Sequence, residues 1–478
     1  MYDLLVIGGG INGAAIARDA AGRGLKVLLV ERDDLAQHTS SASSKLIHGG
    51  LRYLEMGDIR LVREALAERE TLLRTAPHLV HPLRFLLPRG PGSRSWPVLR
   101  AGLLLYDLLA IGGSLPRSRA LSFPEAGLKP AHARGFAYWD AWVDDARLVI
   151  LNARDAADRG ADVRTRTTLV AARRDGDRWL ATLDGSAGRT EVAALAIVNA
   201  AGPWVAEVLG GRLGDAAPPV RLIRGSHLVV SRLPAGNDAV LLQQPDGRVV
   251  FLLPHEEAFT LVGTTDAATD DPAAAHMSVE ERAYLLAAAN RYLAAPISAP
   301  DIVAEYSGIR SLHDDGKAEA RAVSRDYTLV IDAAGPPLLS VYGGKITTAR
   351  ALAEEAMARL ARARLSAGPA WTARSPLPGG DLGTDFDSFA ADFAARHPLL
   401  DAATTRRVSR AYGSRAEAVF AQGTGRLLMP GLWEAEVDHL RRNEWARTAD
   451  DILWRRTKLG LRALPGMAVA LAAHMETS

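Results

Sequence analysis

The strongest constraint on the fold is a short apolar run that ends in glycine. Asp3-Leu4-Leu5-Val6-Ile7 is followed directly by Gly8-Gly9-Gly10-Ile11-Asn12-Gly13. Small residues then recur at Ala14, Ala15, Ala17, Ala20 and Ala21, and a second apolar run, Val27-Leu28-Leu29-Val30, ends on Glu31. Together these predict strand, tight turn, helix, strand and a terminal acid, which is the G-x-G-x-x-G dinucleotide pattern in its full context. Gly8 permits the tight turn, Gly10 lets the backbone approach a pyrophosphate, and Gly13 lets the helix pack close to the sheet. Ile11 and Asn12 open the helix, whose free N–H groups and positive dipole end favour phosphate. Glu31 falls where a carboxylate accepts bonds from ribose hydroxyls, so a 2′-phosphate, and with it NADP, is disfavoured. A unit of this kind at the very start of a chain leans toward FAD.

Composition bounds the rest. At 478 residues, two or three domains are expected, and 48% hydrophobic content is ample for large cores. A net charge of +2 gives no case for nucleic-acid binding. With no cysteine, disulfides, thiolate catalysis and Cys-ligated metal centres are excluded, and no metal site is expected. The chain enters its first strand at once, so no signal peptide is expected. No apolar run has the length of a membrane span. A cytoplasmic protein is expected, either free or attached to the inner face of a membrane.

After Glu31 comes a polar loop, 37–45, and then Leu46-Ile47-His48-Gly49-Gly50-Leu51-Arg52-Tyr53. Asp58 caps a predicted helix over 59–75. Asp175-Gly176-Asp177 marks a hairpin turn, and 195–199 reads as a buried parallel strand ending in Ala200-Ala201-Gly202. Strands are expected at 228–231, 239–242, 249–253 and 259–263. Leu338-Leu339-Ser340-Val341-Tyr342 meets Gly343-Gly344-Lys345 and opens a helix through 347–361. A linker at 376–380 leads to a tail that reads as helical and strand-free, with a capping box at Thr448 and Asp451.

Several of these segments resemble one family, the FAD-dependent, quinone-linked glycerol-3-phosphate dehydrogenases of aerobic glycerol catabolism. They are 7–13, 39–53 (TSSASSKLIHGGLRY), 142–148 (WVDDARL), 225–227 (GSH), 263–266 (GTTD), 307–310 (SGIR), 343–348 (GGKITT) and, in the tail, 450–460 (DDILWRRTKLG). The chain departs from the family pattern at Ala201, His255 and Ser311.

The resemblance implies an α/β fold with three parts. A discontinuous, Rossmann-like FAD domain covers 1–50, 145–215 and 325–365. An antiparallel-sheet substrate or cap domain covers 51–144 and 216–324, and a helical C-terminal domain covers 380–478. FAD is expected on Gly8, Gly10, Ile11, Asn12, Gly13, Glu31 and Arg32. The following loop adds Thr39, Ser40, Ser41, Ser44, Lys45, His48, Gly49 and Gly50. The strand-end turn adds Ala201 and Gly202, and the second glycine turn adds Gly344, Lys345 and Thr347.

For the substrate, Arg52, Arg310 and Lys345 are expected to hold a phosphate dianion, because it takes planar forks and a point charge well. Tyr53 and Thr265 are candidates for its other oxygens. The implied reaction takes hydride from C2 of sn-glycerol 3-phosphate to FAD and a proton from its hydroxyl, leaving dihydroxyacetone phosphate. His48 and His227 are candidate bases. Arg310 is the alternative, stabilising a developing alkoxide. The implied electron acceptor is a membrane quinone. The rivals are an oxidase using oxygen and a flavin amine or amino-acid oxidase of the same fold.

Segment 94–111, with Trp96 and a leucine-rich stretch, suits an interfacial helix on the inner membrane surface. The alternatives are an ordinary buried helix and a homodimer interface.

Overall fold

The computed structural model describes residues 1–51, 54, 57–90, 94–215, 218–313 and 327–477. The opening strand Tyr2–Ile7 lies inside an eight-stranded sheet, parallel to Val27–Val30 on one side and Gly188–Asn199 on the other. Leu5 pairs with both Leu28 and Ile197, and all three are fully buried. Burial on both faces is why these strands read as continuous apolar runs rather than alternating ones. Asp162–Arg164 extends the sheet on one side, and Leu338–Tyr342 and Thr328–Asp332 extend it on the other.

The N-terminal half of Gly188–Asn199 runs antiparallel to Arg178–Gly185. That strand hairpins onto Thr168–Asp175 through Gly176-Asp177, as expected. Helices Ile11–Gly22, Asp145–Asp158 and Ala349–Arg362 bury their small and aliphatic residues against the sheet in one core.

A second, ten-stranded sheet holds the expected strands at Val220–Ser231, Ala239–Gln243, Val249–His255 and Phe259–Gly263. Ile302–His313 pairs with Val220–Ser231 along nearly its whole length. Leu46–Ile47 pairs with Trp142 and Ala141 in this second sheet, so the polar loop after Glu31 crosses from one sheet to the other. That crossing places the loop between the two sheets, where a ligand binds.

Helix Ile59–Thr75 starts as expected, with the Asp58 carboxylate accepting from Leu61 N at 3.1 Å. Helix Trp96–Leu109 turns Leu99, Leu103 and Tyr106 into the core, while Val98, Leu104, Leu108 and, beyond its end, Ile111 are half or more exposed. The leucine-rich stretch is therefore not uniformly available as an anchor. Leu103 is a core residue, because the helix puts 103 and 99 on one face and 104 and 108 on another.

Two expectations for the tail are corrected. It carries a short hairpin, Leu427–Met429 with Leu432–Trp433, among its helices. Segment 377–380 is no loose linker, because it is buried and Leu377 N donates to Thr75 O at 2.8 Å. A Cβ on Gly379 would sit 2.0 Å from Tyr412 O, so the segment is a strap pressed between domains. The capping box forms: Asp451 N donates to Thr448 Oγ1 at 3.2 Å and Thr448 N to Asp451 Oδ2 at 3.0 Å. The residues that follow, Asp451–Arg456, wind as a π-helical turn. Among the described residues, no helix is long and apolar enough to cross a membrane.

Candidate functional site: a cavity between the two sheets

One cavity of about 720 Å³ runs from the glycine turn across the polar loop to the second sheet. The turn has the geometry expected of it. Gly8 sits at φ +108°, and a Cβ there would meet Ala200 O at 2.5 Å. A Cβ on Gly13 would meet Gly8 O at 1.9 Å, so only glycine lets helix Ile11–Gly22 approach the strand this closely. The helix begins at Gly10 with no side-chain cap, and Ile11 N donates to Ser40 Oγ at 3.0 Å. Gly10, Ile11 and Ser40 all line the cavity, so an uncapped helix start faces it.

Glu31 lines the cavity but is not a free acceptor. Its Oε2 accepts from Gly9 N at 2.6 Å and its Oε1 from Asp33 N at 2.8 Å, which fixes the carboxylate beside the turn. Burial pushes its pKa up, and the bonds from Asp33 and Gly9 oppose that shift. Arg32 Cζ lies over the Trp204 ring, 4.0 Å from its centroid, and both residues line the cavity.

The two glycine turns are tied together. Asn12 Nδ2 donates to Gly343 O at 3.0 Å, and a Cβ on Gly344 would reach Asn12 Nδ2 at 2.8 Å. Asn12 Oδ1 is buried without a hydrogen-bond partner, although Asn12 is on the cavity wall. A buried acceptor in that position needs a donor, and a cofactor hydroxyl or amide supplies one. The uncapped helix, the fixed ribose-side acid and the orphaned Asn12 oxygen together fit a dinucleotide such as FAD.

Of the other expected cofactor residues, Thr39, Ser44, His48, Ala201, Gly202, Gly344, Lys345 and Thr347 line the cavity, and Thr347 Oγ1 accepts from His48 N at 3.4 Å. Gly13, Ser41, Lys45, Gly49 and Gly50 do not. Lys45 is turned inward: its Nζ bonds Asp145 at 2.8 and 2.9 Å and Ser41 O at 3.0 Å. Asp145 also accepts from Ser43 Oγ at 2.8 Å, so Lys45 shapes the loop from behind.

The expected substrate and catalytic residues divide. Arg310, Lys345 and His48 line the cavity. Arg52 and Tyr53 lie outside the described residues. Thr265 is behind the wall, donating to Glu281 Oε1 at 2.6 Å and accepting from Ser226 N at 2.9 Å. His227 is also behind it, buried and stacked on Tyr306 at 4.9 Å, with Nε2 2.9 Å from Ser44 Oγ. Burial, then the nearby Arg310 and Lys45 charges, lowers its pKa to about 3. It sits behind the wall as a ring that bonds Ser44, so the structure does not turn it into the cavity.

Sequence reasoning missed Thr167, Arg248, Phe251 and Asp266, all of which line the cavity. Asp266 had a signal, since it closes the GTTD segment. Its carboxylate accepts from Arg310 Nη1 at 2.7 Å, and this ion pair aims the guanidinium. Thr167, Arg248 and Phe251 carry no local motif. Glu31, Asp33 and His38 converge within 4.8 Å, but His38 Nε2 bonds Asp33 at 2.8 Å and Glu31 is held by backbone.

Residues 3–350 match the family described as FAD dependent oxidoreductase, and 370–476 match the C-terminal domain of alpha-glycerophosphate oxidase. The chain is 49% identical over 488 residues to a glycerol-3-phosphate dehydrogenase of Pseudomonas aeruginosa, covering all of this chain and 95% of the relative. The chain belongs to the family of FAD-dependent glycerol-3-phosphate dehydrogenases. A D-erythritol 1-phosphate dehydrogenase of Brucella abortus is 47% identical over 95% of this chain and 94% of its own length. The glycerol-3-phosphate dehydrogenase of Bacillus halodurans complexed with FAD superposes with a TM-score of 0.75 at 27% identity, over all of this chain and 89% of its own. As in that family, FAD is the cofactor.

One buried network holds the active-site loop of this dehydrogenase. Tyr106 Oη donates to Asp140 at 2.8 Å and accepts from Gly49 N at 3.0 Å, and Arg69 Nη1 donates to Asp140 at 2.9 Å. Gly49 follows His48 directly, so the hydroxyl fixes the peptide that carries the candidate base. Tyr106→Phe leaves Gly49 N–H and the Asp140 carboxylate each one bond short, at a cost of about 1–3 kcal/mol. Steady-state kinetics and flavin absorbance on the purified variant are expected to show kcat down about tenfold with FAD still bound.

Proposed function

We propose that the protein oxidises sn-glycerol 3-phosphate to dihydroxyacetone phosphate. The observation that carries this reading is the presence of Arg310 and Lys345 on the wall of the same cavity as the nucleotide turn. Two cations on one wall suit a phosphate dianion, which carries one more negative charge than a carboxylate. Arg52 and Tyr53 are proposed to complete the phosphate and hydroxyl contacts.

When bound, FAD supplies the two-electron acceptor for the hydride from C2. Arg310, aimed by Asp266, and Lys345 hold the phosphate. His48 takes the C2 hydroxyl proton: its half-buried imidazole lines the cavity, whereas His38, the other imidazole on the wall, is bonded to Asp33 at 2.8 Å. Asn12 Oδ1 and the start of helix Ile11–Gly22 orient the cofactor. The proposed domain division is the one expected from the sequence, with FAD on 1–50, 145–215 and 325–365.

A second reading, a longer polyol phosphate as substrate, is favoured by the 47% identical relative named for D-erythritol 1-phosphate. Both share the phosphate anchor and differ in chain length.

Electrons are proposed to pass on to a quinone, with the protein docked on the inner membrane surface. Leu104 and Leu108, exposed on one face of helix Trp96–Leu109, with exposed Val98 and Ile111 toward its two ends, support this reading, since exposed aliphatics of this kind suit an interface.

Initial-rate kinetics on Arg310→Met and Lys345→Met are expected to raise KM for sn-glycerol 3-phosphate by about 10- to 100-fold, with FAD retained, through loss of charge-assisted bonds. An unchanged KM in both would remove the phosphate pocket from the reading. Wild-type KM lower for erythritol phosphate than for glycerol phosphate would select the second reading. In liposome flotation, Val98/Leu104/Leu108→Ser is expected to stay at the bottom of the gradient while wild type rises. Equal flotation would exclude this face as the anchor.

A further inference from the structure

Among the described residues, the C-terminal domain places no side chain on the cavity wall, yet buried charges bond it to the back of that wall. Four charged residues within eight positions make the connection: Asp451, Arg455, Arg456 and Lys458. Two of the three points they grip lie one or two residues from a residue that lines the cavity, and the third reaches the wall through Ser43.

The first point is Asp34, buried at the base of the loop after Glu31. It accepts from Arg455 Nε at 2.5 Å and from Arg456 Nη2 at 2.8 Å. Ala36, two residues on, lines the cavity and donates its N–H to Gly9 O at 3.1 Å. The second is Arg166, whose guanidinium donates to both oxygens of Asp451 at 2.9 and 3.0 Å. Its own N–H donates to Asp33 O at 3.0 Å, and that of the neighbouring Thr167 to Glu31 O at 2.8 Å. The third is Asp144, which bonds Lys458 Nζ and caps helix Asp145–Asp158 through Arg147 N at 3.0 Å. Its neighbour Asp145 holds Ser43. Arg147, buried with Glu444, ties the same helix to the C-terminal domain again.

Ion pairs with almost no solvent access are poor sources of net stability, but they are costly to break one-sidedly and they specify one geometry. The third point acts on Ser43 through helix Asp145–Asp158, and the first two act directly on the polypeptide around Glu31 and Thr167, the ribose side of the cavity. The π-helical turn explains how Asp451, Arg455 and Arg456 can all act there: the wider winding brings residues four and five apart onto one side.

We propose that turn 451–458 is a clamp that holds loop 31–44 and strand end 164–167 in the shape that binds the adenosine half of FAD. Cofactor retention is then a task of the C-terminal domain, and the residues named are positioning residues that never touch the cofactor.

The test uses full-length protein stripped of FAD and titrated with FAD, and separately with ADP, by fluorescence. Arg166→Gln removes the most exposed of these contacts, and Asp34→Leu/Arg456→Met removes a buried pair together. The expected result is an FAD dissociation constant raised about tenfold and an equal loss for ADP. KM for sn-glycerol 3-phosphate at saturating FAD should stay at the wild-type value, and Arg166→Lys should recover most of the affinity. Wild-type affinity for FAD in a folded variant overturns the clamp, as does a changed KM with FAD affinity intact. If the double variant does not fold, Arg166→Gln and Arg166→Lys decide alone.

Discussion

The structure depends on one close approach. Gly13 comes so near the carbonyl of Gly8 that a single added carbon would lie 1.9 Å from the oxygen. That contact presses helix Ile11–Gly22 onto strand Tyr2–Ile7 and delivers its uncapped start to the cavity between the sheets. From there the hydrogen bond of Asn12 to Gly343 O sets the second glycine turn, which carries Lys345 and Thr347. The nucleotide end and the cationic end of the cavity are therefore built from one rigid joint. A methyl group at Gly13 would move both.

Around this joint the protein uses charge in two ways. On the cavity wall, Arg310, Lys345 and Arg32 face the space where ligands bind. Behind the wall, Lys45–Asp145, Arg69–Asp140 and Arg147–Glu444 are buried and paired, which fixes loops rather than attracting anions. The high arginine content has a structural explanation in this second set. Arginine's planar fork satisfies several acceptors at once inside a core, as Arg456 does with Asp34 and Glu444 O.

Much of the fold was legible in the sequence because its signals are local. The glycine turn, the Asp175-Gly176-Asp177 hairpin, the Asp58 cap and the Thr448–Asp451 box each state their geometry within a few residues, and each forms. Burial on one or both faces was equally readable from alternating or continuous apolar runs. The site was legible only in part. Position along a motif does not say which way a side chain turns, so Lys45, Thr265 and His227 were expected in the cavity and point into the protein instead. Their partners, Asp145, Glu281 and Tyr306, lie 16 to 100 residues away along the chain, beyond any local pattern. For the same reason Thr167, Arg248 and Phe251 were invisible, since the pairing of distant strands alone brings them to the wall.

The central claim is that a flavin and a polyol phosphate share one cavity, the first on the glycine joint and the second on the cations. The direct measurement is the visible absorption spectrum of the purified protein during anaerobic titration with sn-glycerol 3-phosphate. Oxidised-flavin bands that bleach in proportion to added substrate, with dihydroxyacetone phosphate formed in equal amount, are predicted. Flavin bands that persist with glycerol phosphate and bleach only with an amine or amino acid would contradict it.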